Sequence, residues 1–129
     1  MAATTQNDPL TEKIIGFATE VHRLLGPGLL ESAYEECLCH ELGQAAMVYR
    51  RQVPLPVVYK LVRLDCGYRM DVVVENRVIV ELKAVERLLP IHEAQMFTYL
   101  KPSGIPTGLL LNFNTPALKD GVRRLALHL

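Results

Sequence analysis

The stretch that decides the fold is DVVVENRVIVELK, residues 71–83, in which two apolar segments flank a short polar interval. Runs rich in Val and Ile on either side of such an interval are typical of a β-hairpin. Asp71, Glu81 and Lys83 nevertheless interrupt these apolar runs. The sequence therefore predicts a hairpin that places two acids and a lysine in a sheet whose other residues are mostly buried.

The length of the hairpin turn decides whether the two acids face each other. A three-residue turn at residues 75–77 would put Asp71 directly opposite Glu81, whereas a two-residue turn would send Asp71 to the far face. Such turns often need a left-handed residue, and Asn76 or Arg77 would adopt that conformation. Joint action of the acids therefore requires an odd-length turn or a compensating bulge.

Two carboxylates and an ammonium group would then share one face, because Glu81 and Lys83 are two residues apart while Leu82 points into packing. The β-carbons of Asp71 and Glu81 would lie about 5 Å apart, so the acids would repel each other and resist ionisation in an apolar setting. A divalent cation with hard oxygen ligands, Mg²⁺ or Mn²⁺, would remove this conflict. It could also activate water towards a phosphate. The alternative is a structural salt bridge from Lys83 to one of the acids.

The rest of the chain predicts one mixed sheet flanked by helices, an α/β or α+β domain. Helices are predicted at 8–26, 29–46 and 89–101, and strands at 47–60, 62–75, 77–85, 105–114 and 121–129, the last with a helix as the alternative. The order is α-α-β-β-β-α-β with a short terminal strand. Pro54 and Pro56 are expected to place their strand at an edge or to break it, and Gly67 to kink the next one. Residues 1–8 are predicted to be a loose tail, and 9–129 a single domain.

Composition limits the functions that the chain can have. It has 129 residues, 50% of them hydrophobic, and its formal net charge is zero. A strong non-specific nucleic-acid binder usually has a basic excess, so any nucleic-acid site must be a local patch. Three cysteines without regular spacing favour a reducing compartment, and no signal peptide or membrane-length apolar run occurs, so we expect a cytoplasmic protein. The mean hydropathy of +0.15 is compatible with a homodimer.

Three motifs together resemble a known group of enzymes. Asp71, followed after nine residues by Glu81-Leu82-Lys83, resembles the core of the PD-(D/E)XK nuclease superfamily. GLLESAY at 28–34 matches the pattern that names the GxxExxY family, and QMFTY at 95–99 resembles the QxxxY element of RecB-type nucleases. The resemblance covers about residues 10–127 and implies a restriction-endonuclease-like fold. The usual proline before the aspartate is replaced by methionine.

The resemblance implies a role for each matching residue. The metal ligands would be Asp71, Glu81 and the backbone carbonyl of Leu82, and the catalytic set would also include Lys83, Gln95, Tyr99 and Glu31. Neighbouring residues on shared faces, Arg69, Tyr34 and His92, are candidate substrate-binding groups. Each also has a structural interpretation. Glu31 suits the first turn of a helix, Tyr34 fits a core stripe, Gln95 and Tyr99 could bond to the sheet, and His92 could cap a helix.

The function expected from these observations is a Mg²⁺-dependent nuclease that hydrolyses phosphodiester bonds of nucleic acid, with DNA favoured over RNA. One alternative is a binding module that keeps the nuclease fold and grips nucleic acid or protein without cleaving it. A second is a structural or regulatory subunit. Fold resemblance alone does not choose among them, because function belongs to the site and not to the fold.

Overall fold

The computed structural model describes residues 2–3 and 8–127. The chain folds into a mixed sheet with helices on both faces. The helices are α1 (Pro9–Leu25), α2 (Glu31–Gln44) and α3 (Pro90–Ser103), and a 3-10 helix spans Leu118–Gly121. The strands are β1 (Ala2–Ala3), β2 (Tyr49–Pro54), β3 (Val57–Tyr59), β4 (Val62–Leu64), β5 (Arg69–Val74), β6 (Val78–Lys83), β7 (Thr107–Asn112) and β8 (Val122–Ala126). The predicted fold class is confirmed, and the terminal element is a strand.

The main sheet has the order β1-β8-β7-β6-β5-β2. β6 and β7 are parallel because α3 connects them, and the other neighbours are antiparallel. The predicted strands 47–60 and 62–75 are each divided in two. Pro54 is the last residue of β2, and Pro56 lies in the break between β2 and β3. Gly67, with φ 78°, lies in the break between β4 and β5. β3 and β4 pair only with each other and form a separate hairpin, here called the arm (residues 57–64).

The start of α1 shows how local sequence sets an element boundary. The carboxylate of Asp8 accepts a hydrogen bond from the amide of Thr11 at 2.9 Å, and the threonine hydroxyl lies 3.4 Å from the amide of Asp8. This reciprocal cap satisfies amides that have no partner within the helix. Ile14, Ala18 and Val21 then recur at helical spacing and are buried against the sheet. Asp8 is therefore the N-cap residue of α1.

The two faces of the sheet carry two separate cores. α1 and α2 pack on one face, with Val72, Val80 and Leu82 among its buried strand residues. α3 packs on the other face, where Val73 and Ile79 contact its apolar side. β6 alternates regularly between the faces, so its charged residues Glu81 and Lys83 lie on the α3 side.

Part of the predicted N-terminal tail is ordered as a strand. Ala2 and Ala3 pair with Ala126 and Leu125 of β8, while residues 1 and 4–7 of that tail lie outside the described residues, as do 128–129 of the predicted terminal strand. Within the described ranges, no helix has both the length and the apolar character needed to cross a bilayer.

Candidate active site

The hairpin between β5 and β6 has the turn that the paired register requires. Residues 75–77 form a three-residue turn, and the amide of Arg77 donates to the carbonyl of Val74 at 2.9 Å. Asn76 has a left-handed φ of 52°, as predicted, and Glu75 has a φ of 54°. Arg77 is not left-handed. The odd-length turn is therefore confirmed, and it sets Asp71 opposite Glu81.

The two acids replace the backbone pairing at the far end of the hairpin. The ladder between the strands ends at Val72 and Val80. Beyond it, Glu81 Oε2 accepts from the amide of Asp71 at 2.7 Å, and Asp71 Oδ2 accepts from the amide of Leu82 at 3.0 Å. Each carboxylate is thus anchored to the opposite strand, which holds both groups in one place without a salt bridge.

β5 reverses its pleat at Asp71. Met70 packs in the same cluster as Val73, although residues three apart on a regular strand point to opposite faces, and Val72 lies in the other cluster. β2 pairs with β5 on either side of the Gln52–Asp71 row but not at that row. Gln52 has a φ of 50°. Both strands are therefore irregular at one row, and this turns the amide of Asp71 towards Glu81.

A buried glutamate of α2 holds Gln52 in this unfavourable conformation. A left-handed φ outside glycine costs on the order of 1 kcal/mol and needs support from its surroundings. Glu35, only 7% exposed, accepts from Gln52 Nε2 at 2.8 Å. The same carboxylate accepts two bonds from Arg51 at 2.9 and 3.0 Å. Hydrogen bonds to Glu36 and Glu35 raise the pKa of Arg51. Glu35 therefore links α2 to the irregular row.

Burial perturbs both acids, and the charge of Asp71 perturbs Glu81 further. Glu81 is 4% exposed, and burial, followed by the negative charge of Asp71, raises its pKa to about 8. Burial also raises the pKa of Asp71, although the hydrogen bond from Leu82 opposes that change. The charge of Lys83 lowers both values but does not cancel the rise. A nearby positive charge would therefore stabilise the ionised form of both carboxylates.

Lys83 is close to the acids without being neutralised by them. It is half-buried at the end of β6. Among residues 8–127, no carboxylate oxygen lies within the 4.0 Å of its ammonium nitrogen that defines a salt bridge. The structure thus does not support the alternative in which Lys83 is only a salt-bridge partner, and it leaves the ammonium group able to interact with a ligand.

The GxxExxY segment brings one acid to the rim of the site and buries its tyrosine. Glu31 is exposed and accepts from the amide of Ala84, which follows Lys83, at 3.1 Å. Tyr34 is fully buried and stacks on Phe113, with ring centroids 4.3 Å apart. Its hydroxyl donates to the carbonyl of Gly26 at 2.6 Å and accepts from the amide of Leu29 at 3.1 Å. These contacts fix the loop before α2, so we do not include Tyr34 in the proposed substrate site.

α3 places Tyr99 and Gln95 beside the acids. Tyr99 is 4% exposed, and its pKa is raised to about 12, first by burial and then by the charges of Glu81 and Asp71. Gln95, one turn earlier, is half-buried and lines a groove at the surface. Tyr99 also packs in the same buried cluster as Ile79, two residues before Glu81 on β6, so α3 places the phenol on the face of the sheet that carries Glu81.

The other two predicted substrate-binding residues lie at the periphery. His92 Nδ1 accepts from the amide of Leu89 at 2.9 Å, which caps the start of α3, as its structural interpretation predicts. Arg69 begins β5 and is exposed. Its guanidinium is free to approach a phosphate, since no salt bridge joins it to another of residues 8–127.

A groove of about 640 Å³ runs along α3 and shares Tyr99 with the surroundings of the acids. One wall comes from the chain around the arm and the other from α3. Its lining includes Tyr68, Gln95 and Tyr99, while the two acids and Lys83 lie outside it. The groove therefore ends beside the site and does not contain it.

The donor set suits a hard divalent cation. Asp71 and Glu81 each use one oxygen for a backbone hydrogen bond, and the second oxygen has no hydrogen-bond donor among the described residues. Within the same residues, no three His, Cys, Asp or Glu side chains are grouped to hold a metal. The protein would supply two carboxylates, with the Leu82 carbonyl as a third candidate oxygen. Mg²⁺ tolerates such a site, because it usually keeps several water ligands.

Sequence reasoning missed three residues that support the site. Glu35 and Gln52 hold the irregular row, and no sequence pattern marks a left-handed glutamine. Asn112, buried at the end of β7, pairs in register with Lys83. Its side chain accepts from the amide of Val85 at 3.1 Å and donates to the carbonyl of Val85 at 2.9 Å. A polar residue closing the apolar run of β7 was the available signal for Asn112.

Comparison with known families agrees with this geometry. A family model described as the PD-(D/E)XK nuclease superfamily matches residues 8–125. The chain belongs to this superfamily. Membership suggests nuclease activity on nucleic acid, and PD-(D/E)XK nucleases generally depend on a divalent metal. No significant match was found among curated proteins or solved structures. The GxxExxY assignment and the QxxxY element stay predictions.

Proposed function

We propose that this PD-(D/E)XK protein is a Mg²⁺-dependent nuclease, also active with Mn²⁺, that hydrolyses phosphodiester bonds of DNA. The observation that carries the proposal is the arrangement of Asp71 and Glu81. Each is bonded to the other's strand and has one oxygen available, and burial with mutual repulsion raises the pKa of Glu81 to about 8. Such strongly perturbed, closely spaced acids are typical of functional sites.

Asp71, Glu81 and the Leu82 carbonyl would hold the cation. When bound, it would polarise a phosphate oxygen and lower the pKa of a bound water. Lys83, which has no salt bridge to another described residue, would stabilise negative charge that develops on the phosphate in the transition state.

The neighbouring side chains would orient the substrate. Tyr99 keeps its proton to high pH, since its pKa is raised to about 12, so its hydroxyl can donate to a phosphate oxygen throughout the physiological range. Gln95 would donate its amide to the same phosphate or to a water. Arg69 would bind a flanking phosphate, and Glu31 would fix the segment after Lys83 through the amide of Ala84.

Cleavage of end-labelled DNA tests the proposal. We expect products with Mg²⁺ or Mn²⁺ and none with EDTA. Asp71→Asn should abolish cleavage and Lys83→Met should lower its rate about 100-fold or more, and both variants should stay folded by circular dichroism. Lys119→Met, at an exposed lysine on the 3-10 helix, should cleave like the wild type. Absence of metal-dependent cleavage on single-stranded, duplex and flapped DNA would refute the proposal. Cleavage of RNA alone would correct the substrate.

Location and assembly form part of the same proposal. Cys37, Cys39 and Cys66 are free thiols, which suits a reducing compartment such as the cytoplasm. Leu24 and Leu30, 67% and 78% exposed at the α1–α2 junction, offer apolar surface for a homodimer. Light scattering on the purified protein measures the mass directly, and a monomer at micromolar concentration would end the dimer proposal.

A further inference from the structure

We propose that the groove between the arm and α3 binds an unpaired nucleobase of the substrate, stacked on Tyr68, next to the phosphate that is cleaved. The substrate class is then single-stranded DNA or a splayed end, rather than an intact duplex. This inference rests on the proposed function, because it assigns a substrate form to the same site.

The lining of the groove has the chemistry of a base-binding surface. One wall is formed by Leu55, Pro56 and Val57, and Tyr68 adds an aromatic ring that is 46% exposed. A volume of about 640 Å³ lies in the range of small-molecule pockets. Aromatic rings bind bases of any identity through stacking, which an intact duplex does not permit.

The groove reaches the surroundings of the acids at Tyr99. Tyr68, Gln95 and Tyr99 all line it. Tyr99 also packs in the same buried cluster as Ile79, which lies two residues before Glu81 on the same face of β6. A base on Tyr68 would therefore leave its own phosphate beside the carboxylate pair. Gln95, one turn earlier on α3, lines the same groove and would contact the phosphate next to that base.

Charge around the groove favours a polyanion over a second copy of this chain. Residues 57–69 contain Lys60, Arg63 and Arg69 against the single acid Asp65, whereas the whole chain has 14 basic and 14 acidic residues. All four are exposed. None forms a salt bridge with another of residues 8–127. Lys101 lines the groove itself, so phosphates on either side of a stacked base would meet positive charge both in the groove and on the neighbouring segment.

The inference is tested by the binding of a fluorescent single-stranded oligonucleotide about 12 nucleotides long. Fluorescence anisotropy measures the affinity, and EDTA prevents metal-dependent cleavage during the measurement. Tyr68→Ala should weaken binding of the single strand about tenfold, which is in the range for loss of one stacked base. Tyr68→Phe should bind like the wild type. The matched control is Tyr59→Ala, which removes another exposed tyrosine, 63% exposed, that lies outside the groove lining and should leave affinity unchanged.

The outcomes separate this inference from the nuclease proposal. The inference is overturned, even if DNA is cleaved, by any of three results. Tyr68→Ala and Tyr59→Ala could lose the same affinity for the single strand, neither could lose affinity, or the wild type could bind a blunt duplex as tightly as the single strand. Tyr68-dependent binding without cleavage under any metal condition would support the groove and refute the nuclease. Thermal melting of each variant shows that it is folded, and a folded Tyr68→Ala protein with wild-type affinity counts against the inference.

Discussion

Replacement of Glu81 by glutamine should make the metal-free protein more stable at alkaline pH. The pKa of Glu81 is raised from 4.5 to about 8 in the folded protein, chiefly by burial and then by Asp71. The folded protein thus keeps this proton at pH values where the unfolded chain has lost it. The free energy of unfolding therefore falls as the pH rises from about 4.5 through 8.

The magnitude follows from the difference between the two pKa values. At 1.36 kcal/mol per pH unit, the interval from 4.5 to about 8 corresponds to about 5 kcal/mol, which is lost once the pH is well above 8. This is an order-of-magnitude figure, but it is comparable with the whole stability of a small domain. Asp71, whose pKa is also raised, adds to the loss.

Thermal unfolding in EDTA between pH 5 and 9 measures this effect. The wild type should lose Tm by about 10 °C or more across the range, and Glu81→Gln should lose much less. Glu86→Gln, at an exposed glutamate, is the matched control and should follow the wild type. Added Mn²⁺ should raise the Tm of the wild type at alkaline pH, whereas it should leave the Tm of Glu81→Gln nearly unchanged. A wild-type Tm independent of pH, or equal curves for wild type and Glu81→Gln, would refute the reasoning.

Three further predictions concern the surroundings of the acids. Lys83→Met should lower the cleavage rate about 100-fold or more, yet change Tm by little, because no salt bridge to another described residue is lost; a large fall in Tm would revive a structural role. Gln52→Gly should keep the amide signal of Asp71 in a ¹⁵N spectrum close to its wild-type position, since glycine accepts a positive φ. Gln52→Val should shift that signal and weaken Mn²⁺ binding measured by calorimetry. Equal behaviour of the two variants would contradict this explanation of the irregular row. Gly121→Ala would press a new methyl group against the backbone carbonyl of Asn112 and should lower stability by about 1–3 kcal/mol in urea unfolding, and unchanged stability would show that this contact relaxes freely.

The hairpin could be predicted, and its register narrowed to two alternatives, because the determinants are local. The apolar runs of residues 71–83 identify the two strands, and the length of the turn between them decides which side chains share a face. The spacing of apolar residues in α1 and the cap at Asp8 likewise define that helix within its own sequence. The sequence did not show whether the predicted strand 47–60 is one strand or two. A proline can either occupy an edge strand or end a strand, and only the pairing partners decide which.

By itself, the sequence of this protein determined a mixed sheet with flanking helices, the hairpin at residues 71–83 and the residues that would meet if its turn were odd in length, since alternation and turn geometry act between near neighbours. The tertiary structure decided that the turn has three residues, and it added β1 and divided two of the predicted strands. Only the tertiary structure decided that Tyr34 is a core residue, that Lys83 has no salt bridge to another described residue, and that Glu35 supports a left-handed Gln52 opposite Asp71. These features depend on burial and on contacts between α2, β2 and β5. Such long-range contacts form only when distant segments pack together, so they leave no periodic trace in the sequence.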